Sequence, residues 1–185
     1  MEIKSAKRRV KEINRKITEM IKTHREVDRQ IKAASLQPGE TLGVATHHGF
    51  YSEESKNKFE AELNPLIQEM KEIASGLVDE AENIRGIAPS TEAVNAITML
   101  RGMEHPSVEA ITAAAKKYGD NYLAMKAIDE VGRNNRVYLN TTHSSDAMIE
   151  LSEMIDNRAH NASFNYDKAF TDGASALFDA MIGEE

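Results

Sequence analysis

Apolar residues recur at alternating three- and four-residue intervals over the first 34 residues. The ten positions are Ile3, Ala6, Val10, Ile13, Ile17, Met20, His24, Val27, Ile31 and Ala34. In a helix, this spacing places all ten on one narrow stripe, the a and d positions of a heptad repeat, and only His24 is polar. We call these ten residues the seam. The pattern predicts a helix from about Glu2 to Ala34, ending before Pro38-Gly39.

A second near-heptad pattern predicts another long helix, from Ser52 to Gly86, after a loop at 35–51. Its apolar positions are Phe59, Leu63, Leu66, Met70, Ile73, Leu77 and Ile84. The register continues through Pro65, which favours one kinked helix over two. Two helices of similar length with facing apolar stripes indicate an antiparallel, coiled-coil-like hairpin, and the competing arrangement pairs the same stripes between two chains.

Shorter helical patterns follow, and they begin near Ser90, Pro106, Asp120 and Ser144. The last pattern extends over 144–182 as one helix or two. Strand-like composition is confined to Thr41–Tyr51, which falls in the predicted loop. We therefore expect an all-α protein with a long helical arm or hairpin at 1–86 and a compact bundle of shorter helices at 87–185.

Charge divides the chain in the same way. The net charge is −7, yet residues 1–34 contain eleven Lys and Arg against five acidic residues, and the rest contains twelve against twenty-five. There is no cysteine, no apolar run that approaches the roughly 20 residues of a membrane span, and no pattern of a secretory leader. These features favour a cytoplasmic protein without a membrane partner, in the host cytoplasm or the virion if the source is viral.

The b and f positions of the first helix form a face with eight bases and no acid. These bases are Lys4, Arg8, Lys11, Arg15, Lys22, Arg25, Arg29 and Lys32. Such a face is suited to the phosphate backbone of a nucleic acid or to an acidic protein. The alternatives are a solvated helix face, or a face neutralised by acidic residues of the same chain.

Catalytic and metal-binding signatures are missing from the sequence. There is no phosphate-binding glycine loop, no nucleophile elbow and no Glu-x-x-His pair of the kind that holds metals in helical bundles. We therefore expect neither a cofactor nor a metal, and we expect that the chain is not an enzyme.

The favoured hypothesis is a non-enzymatic interaction protein, such as a scaffold, an adaptor or a small inhibitor, of a type common among phage-encoded proteins. The expected contact with a protein partner, or with a second copy, is the apolar stripe, specifically Ile3, Val10, Ile13, Ile17, Met20, His24, Val27 and Ile31. The alternative hypothesis is a nucleic-acid-associated protein that uses the basic face.

Overall fold

A computed structural model describes residues 2–35, 42–140 and 142–183, with side chains except those of 32, 34–35, 42–52 and 167. This part of the chain contains seven helices and no strand, which confirms the all-α prediction. The helices are α1 Ile3–Ser35, α2 Leu42–Arg85, α3 Thr91–Gly102, α4 Val108–Tyr118, α5 Tyr122–Asn134, α6 Ser144–Ala169 and α7 Asp172–Ile182. None of the described helices is long and apolar enough to cross a bilayer.

Helix α2 begins ten residues earlier than expected. It starts at Leu42, so the predicted loop at 35–51 and the predicted first residue Ser52 are wrong over the described part, and residues 36–41 lie outside it. A single strand-like run has no neighbouring strand to bond with, whereas a helix satisfies its backbone groups internally. The helix runs through Pro65 without ending, which confirms the prediction of one helix.

The region 144–182 is not one continuous helix. Helix α6 is kinked at Asn165, whose backbone angles (φ −156°, ψ 61°) are non-helical, and a second helical segment continues from there to Ala169. Thr171 then caps α7, because its side chain accepts a hydrogen bond from the amide of Ala174. The same device starts α3, α4 and α5, whose capping residues are Ser90, Ser107 and Asn121.

The helices group into two compact units, and α2 and α6 each contribute to both. Unit 1 consists of Met1–Ser75 and Ser152–Glu185, and unit 2 consists of Gly76–Leu151. This grouping differs from the predicted boundary between residues 86 and 87, because the last two helices supply part of the core around α1.

Unit 2 is built on α3, α4 and α5, whose inner faces form a single apolar core. Its central residues are Ala93, Ile97, Leu100, Ile111, Ala114, Ala115, Ala124, Met125, Ile128 and Val131. Asp146, near the start of α6, accepts hydrogen bonds from Arg85 at 2.6 Å and from Lys126 at 3.1 Å. Both cations also lie within about 5 Å of the ring centre of Tyr122, at 4.9 and 5.2 Å.

We expect Asp146 to give unit 2 an acid-sensitive stability. Partial burial opposes ionisation, but the hydrogen bonds from Lys126 and Arg85 outweigh it and lower the pKa of Asp146 below its usual 3.8. This stabilisation is therefore present above about pH 4 and is lost as the pH falls through the lowered pKa. Thermal unfolding from pH 7 to 3 should show a shallower acid loss for Asp146→Asn than for the wild type. Glu104→Gln, at an exposed carboxylate of the same unit, should follow the wild type, and equal slopes for Asp146→Asn and the wild type would contradict the assignment.

In unit 1, α1 lies antiparallel to both α2 and α7. Arg9 contacts Glu69 whereas His24 contacts Phe59, so residues further along α1 contact residues that come earlier in α2. The contacts to α7 show the same order. Lys11 donates to the carbonyl of Gly183, Asn14 to Asp179, and Lys22 pairs with Asp172.

Arg158 of α6 lies at the point where α1 and α7 meet. Its guanidinium donates to Asn14 Oδ1 at 2.9 and 3.2 Å, to Ser175 Oγ at 3.0 Å, and to the carbonyl of Ala169. It also packs over the rings of Phe170 and Phe178, with its central carbon 4.0 and 4.9 Å from their centres. Burial lowers the pKa of Arg158 to about 10, against the opposing charge of Asp179.

The Oδ1 atom of Asn14 depends on Arg158 for its hydrogen bonds, whereas Ser175 Oγ also bonds to Thr18 Oγ1 at 2.7 Å. Among the described residues no buried side-chain nitrogen or oxygen lacks a partner, so removal of the guanidinium leaves the buried Asn14 Oδ1 unsatisfied. We expect Arg158→Ala to lower the free energy of unfolding by about 3 kcal/mol in urea titrations. Arg8→Ala, which removes an exposed pair with Glu12, should change it by less than about 0.5 kcal/mol. Similar losses for the two variants would show that the buried network is not stabilising.

Candidate functional site

The first half of the seam belongs to the interior of unit 1. Val10, Ile13 and Ile17 are completely or almost completely buried, Ala6 is also buried, and Ile3 is half-buried. The buried surface is wider than the seam, since Ile21 at an e position is fully buried too. This half of the predicted interface therefore packs within the chain, where it contacts other helices of unit 1.

The second half of the seam opens into a groove between α1 and α2. Met20 and Ile31 are half-buried, the His24 side chain is 9% exposed, and Val27 is 37% exposed. The groove has a volume of about 950 Å³. Its lining residues are Lys16, Glu19, Met20, Thr23, His24, Val27, Gln30 and Ile31 from α1, and Glu54, Ser55, Lys58, Phe59 and Glu62 from α2. We refer to it as the α1–α2 groove.

Two stacked rings lie among the groove-lining residues. His24 and Phe59 are nearly coplanar, with ring centres 4.3 Å apart and planes inclined by 9°. Phe59 in turn packs against Tyr166 of α6, at a centre-to-centre distance of 5.0 Å. Asp28 lies 3.8 Å from His24 Nε2, one turn further along α1. The polar seam residue is thus placed by ring stacking, which holds one wall of the groove against the other.

Charges of both signs surround the apolar residues of the groove. Lys16 and Glu19 extend from α1, and Glu54, Lys58 and Glu62 from α2. An apolar centre with a polar rim is the usual construction of a protein-binding surface. It does not resemble a site for a small charged substrate, which needs several polar groups that converge on one point.

The basic face of α1 is interrupted by α7. Lys11 donates to the carbonyl of Gly183 at 2.8 Å, beyond the last turn of α7, and Lys22 lies 2.8 Å from Asp172 in its first turn. The hydrogen bond with Asp172 raises the pKa of Lys22. Thr18, which lies between these two lysines on the same face, is buried against Ser175. The chain's own C-terminal helix therefore occupies the middle of the predicted anion-binding face.

The remaining bases of that face lie on either side of α7. Arg8 pairs with Glu12, and Arg29 pairs with Glu26. Of the other four, Lys4 and Arg15 are exposed, Arg25 is half-buried and makes a contact of its own, and the Lys32 side chain lies outside the description. The eight predicted bases thus form separate groups instead of one continuous stripe.

The α2 wall of the groove was not predicted as part of a site. Phe59 belongs to the second apolar pattern, but Glu54 and Ser55 sit close to the wrongly predicted start of that helix. The only signal for the groove in the sequence was His24, the one polar residue of the seam. In the structure, His24 lies where the apolar contact between α1 and α2 becomes incomplete.

Among the described residues, no group of three or more His, Cys, Asp or Glu side chains is arranged to hold a metal ion. Comparisons with protein-family models, curated proteins and solved structures find no match for this chain.

The two halves of the seam should respond differently to the same substitution. Ile17→Asp places a charge in the sealed interior and should unfold unit 1, at a cost of about 4 kcal/mol or more. Val27→Asp leaves its carboxylate in contact with water and should cost less than about 1 kcal/mol. Urea titration followed by circular dichroism measures the free energy of unfolding of each variant. Equal destabilisation by the two variants would show that Val27 is part of the core and not of an open groove.

Proposed function

We propose that this chain is a non-enzymatic protein-interaction module that binds an amphipathic helix in the α1–α2 groove. The observation that carries the proposal is the open half of the seam. A stripe that is sealed at Val10, Ile13 and Ile17 continues into a groove where Val27 reaches solvent. Apolar side chains in such a groove gain free energy when a partner removes them from water.

The dimensions of the groove suit a helix. Its α1 wall extends from Lys16 to Ile31, which corresponds to about 22 Å at 1.5 Å per residue. This is about four turns, enough for three or four apolar residues at helical spacing to enter the groove. The charged rim would set the direction of the bound helix and its association rate more than its affinity.

Nucleic-acid binding through the basic face is the weaker proposal. The middle of the face is covered by an acidic helix, and several of the remaining cations pair with carboxylates. The exposed residues Lys4 and Arg15 are the best candidates for a residual contact with phosphate. If they make one, duplex binding at low salt should fall steeply as salt rises, and Arg15→Glu should weaken it.

A displayed library of amphipathic helical peptides tests the main proposal. Selection against the wild-type chain should enrich peptides with apolar residues at three- and four-residue spacing. The enriched peptides should bind Val27→Asp at least tenfold more weakly, because that change places a charge in the groove. Leu177→Asp, at an exposed apolar residue of α7, is the matched control and should bind them as the wild type does.

Two outcomes would contradict the proposal. One is the absence of any enriched peptide, and the other is a set of peptides that bind wild type and Val27→Asp equally. Duplex binding that is present at low salt, is lost at high salt and is weakened by Arg15→Glu would instead support the nucleic-acid alternative.

A further inference from the structure

We propose that the helix bound by the α1–α2 groove is α1 of a second copy of this chain, antiparallel and related by a two-fold axis at Thr23. The inference rests on the proposed function and names its partner. It is carried by the order of the residues that α1 contributes to the open side of the groove.

Five of the eight α1 residues that line the groove, those at d and g positions, read the same in both directions. The d and g positions that line the groove are, in order, Lys16, Met20, Thr23, Val27 and Gln30. On either side of the central Thr23 comes an apolar residue and then a long polar one. A surface with this symmetry is complementary to its own copy, which is the requirement for a closed two-fold interface.

An antiparallel pairing about Thr23 matches these five positions chemically. Met20 faces Val27 of the second copy, and the reciprocal contact forms on the other side of the axis. Thr23 faces Thr23, and its hydroxyl already donates to the carbonyl of Glu19 at 3.1 Å, so its methyl group is available for the contact. Lys16 faces Gln30, so this line of residues brings no two like charges together.

The α2 wall supports the same pairing. Since His24 is level with Phe59, and since α2 is antiparallel to α1, Glu54 lies near the Gln30 end of the groove. The two-fold axis brings Lys16 of the second copy to that end, where it would be close to Glu54. Opposite charges thus approach each other twice in the dimer. A partner with charge of a single sign would find both lysines and glutamates on the rim and would gain less.

The chain contains no cysteine, so disulfide cross-linking can test the register without background. We expect Thr23→Cys to form a covalent dimer on mild oxidation. A mixture of Met20→Cys and Val27→Cys, one of them carrying a larger tag, should form mainly the mixed dimer. Arg29→Cys, exposed and about 120° round the helix from Thr23, is the control and should cross-link at least tenfold more slowly. Predominant Met20–Met20 and Val27–Val27 products would show a parallel pairing and overturn the proposed register.

Light scattering over a concentration series separates this inference from the proposed function. The wild type should approach twice the mass of one chain. Val27→Asp should raise the dimer dissociation constant at least tenfold, and Leu177→Asp should not. A monomeric wild type that still binds the selected peptides would overturn the second copy as partner and leave the proposed function standing. A dimer that is insensitive to Val27→Asp would overturn the inference, and a wild type that neither dimerises nor enriches any peptide would overturn both proposals.

Discussion

Arg158 places a positive charge in the interior of unit 1, and three helices are arranged around it. Asn14 from α1 and Ser175 from α7 accept its hydrogen bonds, while two phenylalanine rings cover its faces. A buried guanidinium has few acceptable surroundings, because each of its donors must find an oxygen. The position of α7 along α1 is therefore specified by polar contacts as well as by apolar packing. The contacts of α7 with α1 extend only as far as Lys22, which pairs with Asp172 in the first turn of α7. The position of α7 along α1 therefore also determines where α7 stops covering α1.

The same heptad pattern consequently has two physical roles in one helix. From Ala6 to Ile17 its residues are buried in the interior of unit 1, and their contribution is to stability. From Met20 to Ile31 they have α2 on one side and an open groove on the other. His24 lies at the transition, and its stacking on Phe59 keeps the helices together where apolar contact is incomplete. The proposed interaction surface is thus an extension of the core and not a separate structure.

Periodicity in the sequence was sufficient to predict the helical class, the extent of α1 and the continuity of α2 through Pro65. It did not predict the start of α2, because a short strand-like run between glycines has no local signal that decides between loop and helix. Nor did it predict Arg158, since a single arginine in a helix of mixed composition looks like a surface residue. The sequence also did not predict the open groove. Seam residues such as Ile17 and Val27 have the same character in the sequence, and only the positions of other helices separate a buried one from an exposed one.

Unit 1 is assembled from two stretches of chain that are separated by all of unit 2. During synthesis on the ribosome, Gly76–Leu151 is complete before the residues of α7 exist, so unit 2 can fold first. Helix α1 is synthesised before unit 2, yet Asn14 and Thr18 acquire their partners on α7 only after more than 150 further residues have followed. Until α6 and α7 are synthesised, the apolar stripe of the nascent α1 therefore has at most α2 to cover it. A segment made before the whole of unit 2 thus reaches its native surroundings only after unit 2 is complete.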